Sequence, residues 1–459
     1  MEKTTTLELD SLTPFQQKLH LPSSEEDELF SPFHHQNELS IFYSKVLSKC
    51  TFSIESKNII YNVDKKNDYL FDNKIHVFLP QVKIKKSFIE KFRISYPENL
   101  GISIFEEGVF MVGDIEYGGK LTRQILDFYF QTFCQDRKKF NHDVCNNAKY
   151  QSWNTTLPKA KSVLTYPFFY ALHTNFSFPL LFSNENVSIK HKILFKKKLS
   201  QILRMQCLID NVWTDIEPNM KVIEGEDIDL PTPELYLWYA TLIPDNKDNV
   251  KNCSLVNGEK EFLYKEFNMI TLSKKYKYGD NPKINIKNEF PCLGYGWMAE
   301  NEDSARFNNT SNYTTDTKGP KTEISYNPMT DNTMEYAGDN FKFKDCPSEL
   351  LQNFFGVFSH VNGYNSYFNC IDPISPDMDS GITYGLDGKA KLTFKLENCN
   401  ESEIINTDDD EDIDLDNLSK LVLRKKDGKD SPNFTIHFIM LLTKSYKVKK
   451  VGDSYEFNK

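Results

Sequence analysis

The chain has 459 residues, a net charge of -10 at pH 7 and an aromatic content of 14%. It is too long for a single hydrophobic core of ordinary size, so two domains are expected. The negative charge argues against a protein whose main partner is nucleic acid, because that role needs a dominant cationic surface.

Strand-like segments dominate the first half of the chain. Residues 1–38 are polar and are predicted to form an N-terminal arm. Short segments rich in aromatic and β-branched residues then follow one another, which indicates an antiparallel β domain over residues 39–205. Its predicted strands are Leu39–Tyr43, Cys50–Ile54, Asn73–Leu79, Gly101–Phe105, Val109–Ile115, Val163–Tyr170 and Val187–Ile193.

One turn and one helix interrupt these strands. Glu116–Lys120 contains two consecutive glycines, which can adopt the positive φ of a tight turn. Leu121–Phe133 is predicted to be a helix, because apolar side chains recur on one of its faces. These side chains are Leu121, Ile125, Phe128 and Tyr129.

A second series of strands follows a linker predicted over residues 206–232, where Pro218, Gly225 and acidic side chains occur together. The strands predicted beyond it are Glu234–Leu242, Lys283–Ile286, Gly294–Met298, Tyr364–Asn369, Leu392–Leu396 and Phe434–Leu442. They indicate a second β domain over residues 233–459.

Several segments, in their order along the chain, are similar to motifs of one protein family. These segments are Leu39–Tyr43 with Cys50–Glu55, Asn99–Ile104 with Asp114–Lys120, Leu164–Tyr170 with Pro179–Phe182 and Val187–Ile193, Leu235–Leu242, Glu261–Tyr264, Pro291 with Trp297, Phe307-Asn308, Tyr364–Phe368 and Ile436–Tyr446. Together they resemble the double jelly-roll major capsid proteins of nucleocytoplasmic large DNA viruses and of related polinton-like viruses and virophages.

The resemblance implies an all-β fold of two tandem eight-stranded antiparallel jelly rolls with short helices and long loops. It also implies a structural protein of the virion, not an enzyme, that forms homotrimers. The trimers would be pseudo-hexagonal capsomers that tile an icosahedral shell and are assembled in the host cytoplasm. Expected partners are further copies of the chain, neighbouring capsomers, minor capsid proteins and, as a further candidate, an inner viral membrane; direct contact with nucleic acid is not expected.

Two alternatives stay open. One is a minor capsid or scaffold paralogue of the same fold. The other is a glycan-binding lectin built of jelly rolls, which needs an aromatic and carboxylate pocket in the long polar loops Ala299–Tyr326 or Glu397–Ser419. Loops of such length usually carry function or contacts.

Trp297 is the residue whose role the resemblance specifies best. It stands six residues after Pro291, where the family has a strand tryptophan. Gly294 and Gly296 beside it have no side chains to fill space. We therefore expect the indole to fill most of the space between the two sheets of the second barrel, in a strand that the glycines make looser.

The nine cysteines show no C-x-x-C pair, which predicts reduced thiols. Cys134, His142 and Cys145 could supply three zinc ligands, but a structural zinc site needs four. The sequence offers no clear fourth ligand, so a polar loop without metal is the better interpretation.

The remaining motifs of functional interest are weak. The acidic run Asp408–Asp414 does not place glycine and glutamate where a calcium-binding EF-hand loop needs them, and is predicted to be a solvated loop. His34-His35 is isolated in the polar arm, and no hydrolase, zinc-protease or P-loop signature occurs. We therefore predict no catalytic residue, no cofactor site and no metal site.

A cluster of basic side chains follows the last strand of the first half. It consists of Lys190, Lys192, Lys196, Lys197, Lys198 and Arg204. Such a cluster could bind phosphates. In a chain with a net charge of -10, a solvated face, or one that meets an acidic surface of a neighbour, is the preferred interpretation.

Overall fold

A computed structural model describes most of the chain between residues 43 and 458. The described residues are 43–134, 137–172, 177–184, 186–242, 258–286, 290–315, 327–335, 342–346, 363–368, 390–397, 432–452 and 454–458. The predicted arm, His34-His35 and the acidic run Asp408–Asp414 lie outside them.

Antiparallel strands make up most of the regular structure, as predicted. The strands of the first half are β1 (Tyr43–Lys49), β2 (Phe52–Glu55), β3 (Asn58–Asn62), β4 (Tyr69–Leu79), β5 (Val82–Lys83), β6 (Phe92–Ser95), β7 (Phe105–Val112), β8 (Ile115–Thr122), β9 (Thr156–Leu157), β10 (Ala160–Leu164), β11 (Ile189–Phe195), β12 (Arg204–Ile209), β13 (Val212–Ile216) and β14 (Glu234–Leu242). The strands of the second half are β15 (Glu259–Thr271), β16 (Lys283–Ile286), β17 (Cys292–Asn301), β18 (Met329–Glu335), β19 (Lys342–Cys346), β20 (Asn365–Phe368), β21 (Ala390–Leu396), β22 (Phe434–Val451) and β23 (Ser454–Asn458).

The helices are short. They are α1 (Leu100–Ser103), α2 (Arg123–Phe133), α3 (Arg137–Asp143), α4 (Ala148–Gln151) and α5 (Glu302–Arg306). Helix α2 confirms the predicted amphipathic helix, and it begins where the Thr122 hydroxyl accepts a hydrogen bond from the backbone N–H of Ile125. No helix within the described ranges is both long and apolar enough to cross a membrane.

The strands form two barrels with the same topology. In the first barrel the sheet β1-β14-β4-β10 packs against β2-β3-β11-β7-β8, and in the second β15-β22-β17-β20 packs against β16-β21-β18-β19. When the main strands of each barrel are numbered from first to eighth, with β2 and β3 counted as one, both barrels have the orders 1-8-3-6 and 2-7-4-5. This is the strand order of a jelly roll, and it repeats although no repeat is visible in the sequence.

The structure corrects the expected division of the chain. Glu234–Leu242 was expected to open the second barrel, but it pairs with β4 and β1, for example Leu235 with Ile75. It is therefore the eighth strand of the first barrel. The predicted linker 206–232 also contains strands, because β12 and β13 form a hairpin there. We infer that the first jelly roll extends to Leu242.

Three local predictions were wrong because tertiary contacts override local patterns. Gly101–Phe105 is mostly the helix α1. In Val163–Tyr170 the strand ends at Leu164, and the aromatic rings that follow are buried in the core. The glycines of Glu116–Lys120 do have positive φ, but they lie inside β8 and not in a turn. At Gly118 a Cβ atom would lie 2.3 Å from the ring of Phe169, so the glycine permits close packing.

Candidate functional site at the junction of the barrels

The sheet β15-β22-β17-β20 of the second barrel is buried on both faces. Side chains alternate along β22, so that Phe438 and Met440 enter the core of the second barrel while Ile439 and Leu441 join the core of the first. Helix α2 and strand β8 of the first barrel cover this outer face, with Phe133 of α2 placing its ring centre 5.4 Å from that of Phe368. The two barrels are therefore joined by a continuous apolar interface.

Gly296 makes this close approach of the barrels possible, and Gly294 leaves room for Phe368 on the neighbouring strand β20. A Cβ atom on Gly296 would lie 2.3 Å from the ring of Phe128 in α2, and one on Gly294 would lie 2.2 Å from the ring of Phe368. The expectation of a looser strand was wrong, because aromatic rings fill the space above both glycines. The glycines are contact points between elements that lie far apart in the sequence.

Gly296→Ala is expected to lower the free energy of unfolding by about 1–3 kcal/mol, because the added methyl overpacks the junction. Chemical denaturation measures this loss. Gly279→Ala is the control, since no atom lies within 4 Å of the Cβ position there, although its positive φ adds some strain. A Gly296 variant no less stable than the Gly279 variant would contradict the packing described here.

A buried charged network lies at one end of this interface. Arg123 of α2 forms ion pairs with Asp127 on the same helix, at 3.1 Å, and with Glu300 at the end of β17. Glu300 is in turn 3.0 Å from Nε2 of His437 on β22. The hydroxyl of Tyr313 donates to Asp127 at 3.1 Å. The network thus connects the first barrel to three segments of the second.

Burial makes these charges depend on one another. Asp127 is 0% exposed, and Arg123 is 8% exposed. Burial alone would raise the pKa of the Glu300 carboxyl, but the charge of Arg123 and the hydrogen bond from His437 outweigh it and hold the pKa well below its usual range. The Glu300 carboxylate therefore remains ionised inside the interface, and Arg123 compensates its charge.

A cleft of about 410 Å³ opens beside the network. Glu106, Gln124 and Lys196 line it together with Arg123 and Glu300. Lys196 donates to the backbone carbonyl of Gln201 at 3.1 Å, and burial lowers the pKa of its amine to about 8. Two cationic and two anionic side chains line the cleft, so it shows no preference for either charge.

The residues considered for zinc are not arranged as a site. The thiol of Cys145 is buried and donates to the backbone carbonyl of Lys161 at 2.9 Å. The imidazole of His142 is 89% exposed and lies beside Asp143. Among the described residues, no group of three possible metal ligands occurs. The cysteines described in full are not in disulfide bonds; they are Cys50, Cys134, Cys145, Cys207 and Cys292.

The basic cluster is dispersed over different surfaces. Lys190 and Lys192 lie on the outer face of β11, whereas Lys196 lines the junction cleft. Lys198 forms an ion pair with Asp229 at 2.8 Å, and Arg204 is buried on a different sheet. These side chains do not form the single basic face that their positions in the sequence suggest.

The charged network was missed by the sequence analysis. One signal was present: Arg123 and Asp127 are four residues apart in a helix whose other side chains are largely apolar, which is unusual for residues on a solvent-facing side. Glu300 and His437 could not be connected to them, because they come from the other barrel.

No protein-family model and no curated protein sequence matches the chain. Solved structures of viral capsids do match. The Faustovirus major capsid protein has a TM-score of 0.63 at 9% identity, with 90% of this chain and 91% of that chain covered. A chain of the quasi-atomic model of the PBCV-1 capsid has a TM-score of 0.60 at 9% identity, covering 93% and 98%. PBCV-1 Vp54, fitted into a reconstruction of the virophage Sputnik, has a TM-score of 0.59 at 10% identity, with 93% of this chain and 98% of that chain covered.

Proposed function

From a double jelly-roll fold shared with viral major capsid proteins, we propose that this chain is a structural capsid protein without enzymatic activity. Three copies form a pseudo-hexagonal capsomer, and capsomers tile an icosahedral shell. Its partners in that role are further copies of the chain, neighbouring capsomers, minor capsid proteins and an inner membrane. Its place is the virion, after assembly in the host cytoplasm.

The contact between the two barrels supports this proposal best. The outer face of the 1-8-3-6 sheet in the second barrel lies against β8, the fifth strand of the first barrel, and against the helix that follows it. The two barrels thus contact each other through different surfaces, head to tail. If the same contact is repeated between chains, and the rotation from one barrel to the next is close to one sixth of a turn, the barrels form a closed ring. Three chains with two barrels each would then form a ring of six barrels.

The corresponding face of the first barrel carries the side chains that a repeated contact needs. Its rings are half-buried and lie beside one another, with His76 4.7 Å from Tyr236 and Phe71 6.4 Å from Trp238 between ring centres. Leu47 on the edge strand β1 is 47% exposed. Aromatic residues of this kind are enriched at protein interfaces. In a trimer, the β19 side of a second copy would cover this face.

The oligomeric state tests the proposal. We expect the purified chain to be a trimer at micromolar concentration by light scattering, with an interface larger than about 2,000 Å². Trp238→Glu should dissociate the trimer because it places a charge in the contact, whereas Ile89→Glu, at a residue 46% exposed elsewhere on the first barrel, should leave it intact. A stable monomer in the parent chain would overturn the proposal.

A further inference from the structure

A small accessory sheet covers one end of the first barrel. Its order is β13-β12-β6, and Asn154 pairs with Ile94 beside it. These pieces come from the connections between strands three and four, five and six, and seven and eight of the barrel. Successive strands run in opposite directions, so these three connections emerge at the same end. The inner face of the accessory sheet, with Ile94 and Met205, is buried in the core.

The outer face of this sheet carries a stack of tryptophan and arginine side chains. The guanidinium of Arg93 lies 4.4 Å from the ring centre of Trp213 and 5.5 Å from that of Trp153. Arg204 lies 5.0 Å from the Trp153 ring. Both indoles are half-exposed. Two of the four tryptophans of the chain therefore lie on one small surface.

Buried polar groups fix this stack from below. Arg93 Nε donates to Gln206 Oε1 at 2.6 Å, and Gln206 Nε2 donates to Asp215 Oδ1 at 2.7 Å. Gln206 and Asp215 are 7% and 8% exposed. They lie opposite each other across neighbouring strands, and Gln206 lies opposite Arg93. The guanidinium is thus held in one orientation before any ligand arrives, which reduces the entropy cost of binding.

The terminal nitrogens of Arg93 remain for a ligand. Within the described residues, Nε is the atom through which Arg93 hydrogen-bonds, and its two Nη groups donate to no protein acceptor. Two neighbouring Nη donors suit a planar carboxylate or a sulfate, which a guanidinium binds with two parallel hydrogen bonds. The partly exposed indoles of Trp153 and Trp213 suit the flat C–H face of a sugar ring.

We propose that Trp153, Arg93 and Trp213 form a binding site for an acidic sugar, that is, a pyranose carrying a carboxylate or a sulfate. The sugar ring packs on an indole, and its anionic group pairs with the Nη atoms of Arg93. This site is distinct from the loops 299–326 and 397–419, in which the lectin alternative needs its pocket. The proposal does not depend on the capsid role, because the surface belongs to a single chain.

A sugar fits this surface better than a nucleic acid does. Proteins that bind single strands add a long cationic groove to their stacking rings. Here Asp215 lies beneath the stack, and the hairpin turn next to it consists of the exposed Asp210 and Asn211, flanked by Ile209 and Val212, which are 46% and 59% exposed. None of these side chains is cationic. The whole chain also has a net charge of -10.

Fluorine NMR on the full chain labelled with 5-fluorotryptophan tests the site without relying on a mutant's fold. The four tryptophans give four signals, assigned by single Trp→Phe substitutions. N-acetylneuraminic acid and a sulfated heparin disaccharide are the probes, with lactose and a thymidine oligonucleotide as comparisons. We expect an acidic sugar to shift the signals of Trp153 and Trp213 and to leave those of Trp238 and Trp297 unchanged.

Variants then test the roles of the residues. Arg93→Gln should weaken binding of the acidic sugar about tenfold or more, because it removes a charge-assisted pair. Arg93→Lys keeps the charge but loses the planar pair of Nη donors, so its affinity for the acidic sugar should lie between those of the parent chain and Arg93→Gln. Lys161→Gln, on another sheet, should not change the affinity. No shift with either acidic sugar, equal binding of lactose, or a response to the oligonucleotide alone would overturn the proposal. Light scattering on the same samples reports separately on trimer formation.

Discussion

Trp297→Ala is expected to lower the free energy of unfolding by about 3–5 kcal/mol, the usual cost of removing a fully buried indole. Trp297 is 0% exposed and lies in the core of the second barrel with Phe438 and Phe394. Its Nε1 donates to Asn332 Oδ1 at 3.0 Å, which connects the two sheets of that barrel. The alanine variant should therefore be insoluble or fail to assemble, because this loss is a large part of the ~5–15 kcal/mol stability of a domain.

Trp153→Ala is the matched control. Trp153 is half-buried, and its ring lies against the guanidinium groups of Arg93 and of the buried Arg204, so its loss should cost only about 0.5–2 kcal/mol. Urea denaturation followed by circular dichroism compares the two variants. If Trp297→Ala unfolds at the same urea concentration as the parent chain, the core position of Trp297 is wrong.

Arg123→Met is expected to lower the free energy of unfolding about as much as Trp297→Ala does, by about 3–5 kcal/mol at pH 7. Methionine keeps much of the side-chain volume, but it removes the counter-charge that Asp127 and Glu300 share at a buried interface. Lys447→Met is the matched control, because Lys447 pairs with Glu259 at 3.2 Å while both side chains are largely exposed. The control should lose no more than about 1 kcal/mol.

The pH dependence identifies the cause of the loss. In the parent chain the folded pKa of Glu300 is lowered, so its contribution to stability is present above the unfolded pKa and is lost as the pH falls through the folded pKa. In Arg123→Met the Glu300 carboxyl keeps its burial but loses this counter-charge, so its folded pKa rises and the variant gains stability relative to the parent as the pH falls from 7 to 5.

A double-mutant cycle completes this test. Glu300→Gln should cost less in the Arg123→Met background than in the parent chain, because the charge that it removes is then uncompensated. Equal costs in both backgrounds, or a loss that is the same at pH 5 and pH 7, would show that the residues contribute through packing alone and that the network does not join the barrels.

Local sequence patterns were enough to locate several strands and one amphipathic helix. Alternation of polar and apolar residues located β11 and β4, and the helical period located α2, because each pattern reflects which side of a single element is buried. The order of the motifs also predicted the double jelly roll, and Trp297 was placed correctly in the buried core of the second barrel.

The tertiary structure decided which elements pair and what lies opposite each side chain. An alternating pattern shows that Glu234–Leu242 is a strand, but it does not show that its partners are β4 and β1 and not the strands after it. Gly296 suggests a loose strand, but in the folded chain the ring of Phe128 fills the space above it. Likewise, Arg123 pairs with Glu300, which is 177 residues away in the sequence. Periodicity is a property of neighbours along the chain, whereas pairing, close approach and charge compensation depend on residues that only the folded chain brings together.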